Sequence, residues 1–224
     1  MSLFFMILGM ILLVFYIREK ISGYTLKGVF LKTLLSVLFV STAVAARSSS
    51  ILAPFLTMGL LFGLLGDIWL DLKYVFPPQD ELFTYAGFSV FGIGHILYVS
   101  GLLLQYGSGL FLIPSILLAA IAAGLILLLE KPMKLSYGKM KPIVLIYGFL
   151  LFSTVFVSGG LFLMHKETTL LFIFIGSVLF AISDLVLSGT YFGIGKSRPI
   201  DIISNYIFYY TGQFLIAFSL TFLR

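Results

Sequence analysis

Cysteine is absent from the 224 residues, tryptophan occurs once and histidine twice. That excludes a disulfide framework, a haem attachment and a thiolate metal site, and it leaves the redox compartment open. Charge is scarce as well. Asp, Glu, Lys and Arg make up 10% of the chain, against about 25% in an ordinary soluble domain. A chain so poor in charge cannot clothe a separate water-soluble domain, so residues 1–224 are expected to form a single integral membrane domain. The net charge of +5 does not point to nucleic acid, because the basic residues sit in short segments between apolar runs and not on one face. No run alternates with period two, as the strands of a membrane barrel would.

What is present is apolar sequence: 60% hydrophobic residues and a mean hydropathy of +1.15. Runs near the roughly 17–25 residues that cross a bilayer recur at 2–17, 28–46, 51–72, 82–105, 109–129, 142–164, 169–191 and 201–222. Polar or turn-forming segments separate them, among them Arg18-Glu19-Lys20, Pro77-Pro78-Gln79-Asp80, Lys131-Pro132 and Lys196-Ser197-Arg198-Pro199. Helices are the spans a bilayer permits here. The expected fold is all-α, a polytopic membrane bundle of eight transmembrane helices. The apolar start, Ser2 to Ile17, lacks the basic flank and small-residue cleavage site of a signal peptide and reads as the first span.

Basic residues divide unevenly between the two sides. Arg18, Lys20, Lys27, Lys32, Lys73, Lys131, Lys134, Lys139, Lys141, Lys196 and Arg198 fall on one side, and Arg47, Lys166 and Arg224 on the other. The positive-inside rule then predicts that both termini face away from the cytoplasm.

Two aspartates interrupt the apolar runs. Gly66-Asp67-Ile68 lies in the third span and Ser183-Asp184-Leu185 in the seventh. An acid in hydrocarbon costs about 2.5–3.5 kcal/mol on insertion scales, which makes it a functional candidate. Both spans run toward the cytoplasmic side, and the rise per residue places the two acids about 8 and 10 Å inside that end. They share a depth and a side. Asp71, one turn beyond Asp67, is expected at the interface.

A weak echo links the halves of the chain. Asp67 is followed 28 positions later by His95, and Asp184 is followed 29 positions later by Gln213. Two four-helix repeats meeting at a shared site would give such a pattern.

Other polar and aromatic residues gather on the helices that follow the acids. Phe88, Phe91, Gly92, His95 and Tyr98 share a face of the fourth span, and Tyr206, Tyr209, Tyr210 and Gln213 a face of the eighth. No glycine-bracketed serine and no His-Glu-x-x-His occurs, so neither a nucleophile elbow nor a zinc protease is indicated. His95 alone is too little for a zinc site; no metal and no cofactor is expected. General acid–base work by carboxylates fits this set best.

Each candidate has a structural reading beside the chemical one. Asp67 could tie two helices together through Lys32, and Lys32 could snorkel to the headgroups. His95 could bond a backbone carbonyl, and the tyrosines could be packing or interface anchors.

Taken together, Gly66-Asp67-x-x-Leu70, Phe91-Gly92-x-Gly94-His95-x-x-Tyr98, Ser183-Asp184 and Tyr209-Tyr210-Thr211-Gly212-Gln213 resemble the YhhN family of integral membrane proteins, the lysoplasmalogenases. The likeness runs along nearly the whole chain. It departs from the family pattern at Lys32-Thr33, where Lys-Pro is usual, and at Gly212, where Ala is usual. The resemblance implies hydrolysis of the vinyl ether bond of lysoplasmalogens to a fatty aldehyde and glycerophosphoethanolamine or glycerophosphocholine. It also implies that Asp67 and Asp184 are the active-site acids, with a lysophospholipid and the surrounding membrane lipids as partners.

That chemistry suits the residues. A vinyl ether is cleaved by protonation at its distal alkene carbon, which leaves an oxocarbenium ion. One carboxylic acid must supply the proton, and a second, ionised carboxylate must activate water, as in the glycosidase pair. His95, Tyr98, Tyr209, Tyr210 and Gln213 would orient water and the glycerol hydroxyl, and Lys32 would meet the phosphate. A small membrane transporter or proton-coupled carrier would also use inner acids and repeat symmetry, and it remains the alternative. An intramembrane aspartyl protease fits poorly, because Leu64 stands where its motif needs glycine and Ser183, not tyrosine, precedes Asp184.

Overall fold

The computed structural model describes residues 1–23, 25–193 and 198–223. Eight α-helices run through them: α1 Ser2–Ser22, α2 Leu26–Val44, α3 Leu52–Val75, α4 Asp80–Tyr106, α5 Leu112–Leu128, α6 Lys141–His165, α7 Thr168–Phe192 and α8 Pro199–Ser219. No strand is found among the described residues, in keeping with the all-α expectation. Helices satisfy their own backbone donors and acceptors, which hydrocarbon demands. Proline and capping residues mark their starts. Thr25 accepts the Gly28 N–H at 3.0 Å to open α2, and Pro142 and Pro199 occupy the first turns of α6 and α8.

Six helices, α1, α2, α3, α4, α6 and α7, are long and apolar enough to cross a membrane, which makes the chain an integral membrane protein. The other two differ from that pattern for different reasons. α5 is strongly apolar but has only 17 residues. α8 is 21 residues long, but Asn205, Tyr206, Tyr209, Tyr210 and Gln213 form a buried polar face that lowers its hydropathy.

Consecutive helices pair as hairpins, α1 with α2, α3 with α4, α5 with α6, and α7 with α8. α4 skips α5 and packs on α6, while α8 packs back on α1, α2 and α3. Seven helices therefore close a ring with α8 reaching inward, and α5 stands outside against α6. The small-residue stripe Ser115, Ala119 and Ala123 seats α5 there, with the Ser115 hydroxyl donating to the Phe156 carbonyl at 3.0 Å.

Two crossings are close enough that only glycine fits. A Cβ at Gly59 of α3 would lie 3.0 Å from the Gly94 carbonyl of α4, and one at Gly212 of α8 would lie 2.6 Å from the Gly176 carbonyl of α7. Gly59 precedes Asp67 by eight residues and Gly176 precedes Asp184 by eight. The equal spacing does not extend to the architecture: α5 does not take the place beside α4 that α1 holds beside α8, and two four-helix repeats are not shown.

The first helix runs five residues past its expected end, through Arg18-Glu19-Lys20 to Ser22. These charges read as a loop from sequence, but Lys20 turns inward and is buried. Lys32 and Lys73 are buried too and do not snorkel. Lys196 and Arg224, which entered the charge asymmetry, lie outside the described residues. At the same end of the bundle the α5–α6 connection is pinned to α7. The Ser136 N–H donates to the Phe192 carbonyl at 2.8 Å, and Leu135 bridges Gly193. Glu130 accepts from the Tyr137 N–H and pairs with Lys141 at 2.9 Å. These bonds, Lys141 first, hold the Glu130 carboxyl below the usual glutamate range.

Candidate active site

One face of α3 buries Gly59, Gly63, Asp67, Leu70 and Asp71 at helical spacing. Asp67 is 1% exposed. Its Oδ2 accepts from the Ser36 hydroxyl at 2.6 Å and from the Tyr209 hydroxyl at 2.7 Å. Its Oδ1 stands 3.2 Å from Lys32 Nζ. The tie between α2 and α3 weighed from sequence is therefore present, and it is one part of a larger set.

Asp71 is not at the interface. It is 2% exposed, with Oδ1 2.9 Å from Lys20 Nζ and 3.3 Å from Lys32 Nζ, and Oδ2 accepting from the Tyr16 hydroxyl at 3.2 Å. The physical reason is that α1 extends far enough to bring Lys20 and Tyr16 against it. Lys32 lies between the two carboxylates. The four groups Lys20, Lys32, Asp67 and Asp71 sum to zero charge when all are ionised, which is the condition under which buried charges are tolerated.

Asp184 is in a different setting. It is half-buried on α7 and accepts a hydrogen bond from the Tyr147 hydroxyl of α6. No ion pair involves it among the described residues. Tyr147 is buried, with its ring 5.1 Å from that of Phe88 and 5.8 Å from that of His95.

Both aspartates line one cavity of about 20 Å³, together with Lys32, Tyr147, Asn205 and Tyr209. About 10–15 Å³ is enough for one water. A second, apolar cleft of about 50 Å³ adjoins it between α4, α5, α6 and α7, lined by Phe88, Ile126, Val144, Leu151, Tyr147 and Asp184. Asp184 and Tyr147 thus belong, with Phe88, Leu187 and Tyr191, to the wall that the polar cavity and the apolar cleft share.

The remaining sequence candidates form a layer behind this wall. Tyr98 donates to Gln213 Oε1 at 3.3 Å, Gln213 Nε2 donates to the Tyr209 hydroxyl at 3.2 Å, and Tyr209 donates to Asp67. The amide of Gln213 fits because Gly63 has no side chain: a Cβ there would lie 2.7 Å from Gln213 Nε2. Tyr210 lies 3.4 Å from Ser36. His95 is buried, with Nδ1 3.0 Å from the Thr154 hydroxyl and Nε2 unbonded among the described residues. Tyr98, Tyr210, Gln213 and His95 do not line the cavity; Lys32, Asp67, Asp184 and Tyr209 do. Among the described residues no three His, Cys, Asp or Glu side chains stand together as a metal ion would require.

Several residues here were not found from sequence. Tyr147, Ser36, Asn205 and Tyr16 are single polar groups in apolar helices, and a lone tyrosine in such a run reads as packing. Lys20 read as loop charge and Asp71 as an interface residue.

The arrangement offers a carboxylate held by a lysine and two hydroxyls, a second carboxyl with a phenol against it and no ion pair among the described residues, space for a water and an apolar cleft. Comparison with curated proteins and with solved structures finds no match for the chain. A family model does match: that of the YhhN family, over residues 28–220. The match takes in α2 to α8 and both aspartates, and on that ground the chain belongs to the YhhN family.

Proposed function

We propose that this chain is a lysoplasmalogenase, an ether hydrolase that cleaves the vinyl ether of a lysoplasmalogen in the membrane by carboxyl acid–base catalysis. The YhhN family is known for this activity, which supports hydrolase chemistry in general. The observation that carries the specific reading is the asymmetry of the two acids on one cavity. Asp67 has Lys32 against it, whereas Asp184 has a phenol and, among the described residues, no ion-pair partner.

In this reading Asp184 is the acid and Asp67 the base. The alkenyl chain lies in the apolar cleft, with its first two carbons at the Asp184 wall. Asp184 transfers its proton to the distal alkene carbon, forming a C–H bond as the double bond's electrons move. The carbon bonded to oxygen becomes an oxocarbenium ion, stabilised by the negative charge of Asp67. Water in the polar cavity adds to that carbon and gives its proton to Asp67. The hemiacetal then expels the glycerol oxygen, which takes up a proton as the carbonyl forms. That proton comes from Asp67, and the hemiacetal hydroxyl gives its own proton to Asp184, so both residues return to their starting forms. One vinyl ether and one water give one aldehyde and one glycerophospho-alcohol.

Lys32, Ser36 and Tyr209 keep Asp67 ionised and aimed, and Gln213 and Tyr98 fix the Tyr209 hydroxyl. His95 and Thr154 support Tyr147 from behind. Substrate would enter from the leaflet on the side of the Asp67 and Asp184 helix ends, the cytoplasmic one by the distribution of lysine and arginine. The test is aldehyde release from a lysoplasmalogen by purified protein in detergent, followed with a coupled dehydrogenase. Aldehyde formation supports the reading; none, with substrate moved across proteoliposomes instead, supports the carrier.

A further inference from the structure

A pocket of about 330 Å³ opens at the end of the bundle nearest the two acids, lined by Lys73, Asp80, Glu81, Tyr137, Lys139 and Tyr191. We infer that this vestibule is the binding site for a zwitterionic phosphodiester headgroup, with phosphate on Lys73 and Lys139 and the ammonium on Asp80 and Glu81. This deepens the lysoplasmalogenase reading and rests on it for the identity of the chain that follows the headgroup.

Its charge pattern is the first reason. Two lysines and two carboxylates face a single space, which suits a ligand carrying one charge of each sign better than a phosphate monoester. Tyrosine rings at its wall add a surface that attracts an ammonium group.

The state of Lys73 is the second. It is buried, its Nζ lies 3.3 Å from the Tyr191 ring centroid, and its ion pair with Asp80 is long at 3.5 Å. The side chain of Asp80 is 60% exposed. A buried cation held by an exposed, long-range partner can change that partner at small cost. A phosphate arriving at Lys73 releases Asp80 to meet the ammonium. Lys32, by contrast, is already shared by Asp67 and Asp71, and a phosphate there would compete with both.

Position is the third. Tyr191 lines the vestibule, the polar cavity and the apolar cleft alike. From Asp67 to Lys73 the helix rises about 9 Å, the scale of an extended glycerol phosphate. A headgroup in the vestibule therefore leaves the ether at the acids and the chain in the cleft.

The test is binding of a saturated analogue, 1-O-alkyl-lysophosphoethanolamine, read from Trp69, the single tryptophan, one turn before Lys73. It is compared with 1-O-alkylglycerol, with 1-O-alkylglycerol phosphate and with soluble glycerophosphoethanolamine. The intact analogue is expected to bind tightest. Lys139→Ala is expected to weaken both phosphate-bearing lipids by about tenfold, the weight of one charged hydrogen bond, and to leave alkylglycerol unchanged. Asp80→Asn is expected to weaken the ethanolamine lipid and not the alkylglycerol phosphate. Lys139 and Asp80 are exposed, so both variants should fold; Lys73→Met is the stronger variant.

Equal affinity for all three lipids, or variants that leave the headgroup preference intact, would overturn the assignment. Glycerophosphoethanolamine binding as tightly as the lipid would also overturn it, in favour of a soluble phosphate ester. The analogue has no vinyl ether, so the headgroup site stands or falls separately from aldehyde formation.

Discussion

Asp67 and Asp184 line one cavity from α3 and α7, and among the described residues a lysine pairs with Asp67 and none with Asp184. On the proposed reading this difference makes Asp67 the charged partner and Asp184 the proton holder, and each can be removed separately.

Asp184→Asn keeps the shape and the hydrogen bond from Tyr147 and removes the proton donor. It is expected to lower the rate of aldehyde release by about 10²–10⁴-fold, the usual weight of a general acid, with little change in melting temperature. Aldehyde release and thermal unfolding of the same detergent preparation measure both.

Lys32→Met is expected to destabilise the fold by about 3–5 kcal/mol, because it leaves two carboxylates facing the single charge of Lys20. Adding Asp67→Asn removes the carboxylate that lost its lysine and leaves Lys20 paired with Asp71, so it should recover much of the loss. A double-mutant cycle of thermal or denaturant midpoints gives the coupling. Additive losses would mean that the four charges do not act as a unit.

Tyr209→Phe removes the hydroxyl that donates to Asp67 and accepts from Gln213. A drop in kcat of about 10–100-fold is expected, near 1.4–2.7 kcal/mol of barrier, with the fold retained. The Tyr210 hydroxyl lies 3.4 Å from Ser36 and makes no other hydrogen bond among the described residues, so Tyr210→Phe should cost much less. Steady-state rates of the two variants side by side decide whether the network runs through Tyr209.

Gly212→Ala places a methyl 2.6 Å from the Gly176 carbonyl. The α7–α8 crossing must open, and overpacking of this kind costs about 1–3 kcal/mol. Gly28→Ala, where a Cβ would meet only the Thr25 hydroxyl at 3.7 Å, serves as the control. A shift of the melting temperature at Gly212 alone is the expected pattern.

The helices were legible because bilayer thickness fixes the length of an apolar run, and seven of the eight expected spans end within about one turn of the observed helices. The exception, α1, shows the limit. Arg18-Glu19-Lys20 looks like a loop until Asp71 is known to be within reach of Lys20. Asp67, Asp184, His95 and Gln213 stood out because polar groups in hydrocarbon are costly. Ser36 did not, since a serine hydroxyl in a helix can bond its own backbone, and Tyr147 did not, since a lone tyrosine in an apolar run reads as packing. Which carboxylate faces which cation is a matter of helix rotation and long-range packing, which local pattern does not encode. Placing Asp71 at the interface failed for that reason.

The central claim is most directly tested by offering a lysoplasmalogen to the purified wild type, Asp67→Asn and Asp184→Asn in detergent and following fatty aldehyde. The expected result is aldehyde from the wild type and at least a hundredfold less, about 2.7 kcal/mol of barrier, from each folded variant. Full-rate aldehyde release by either variant, or none from the wild type, would contradict it.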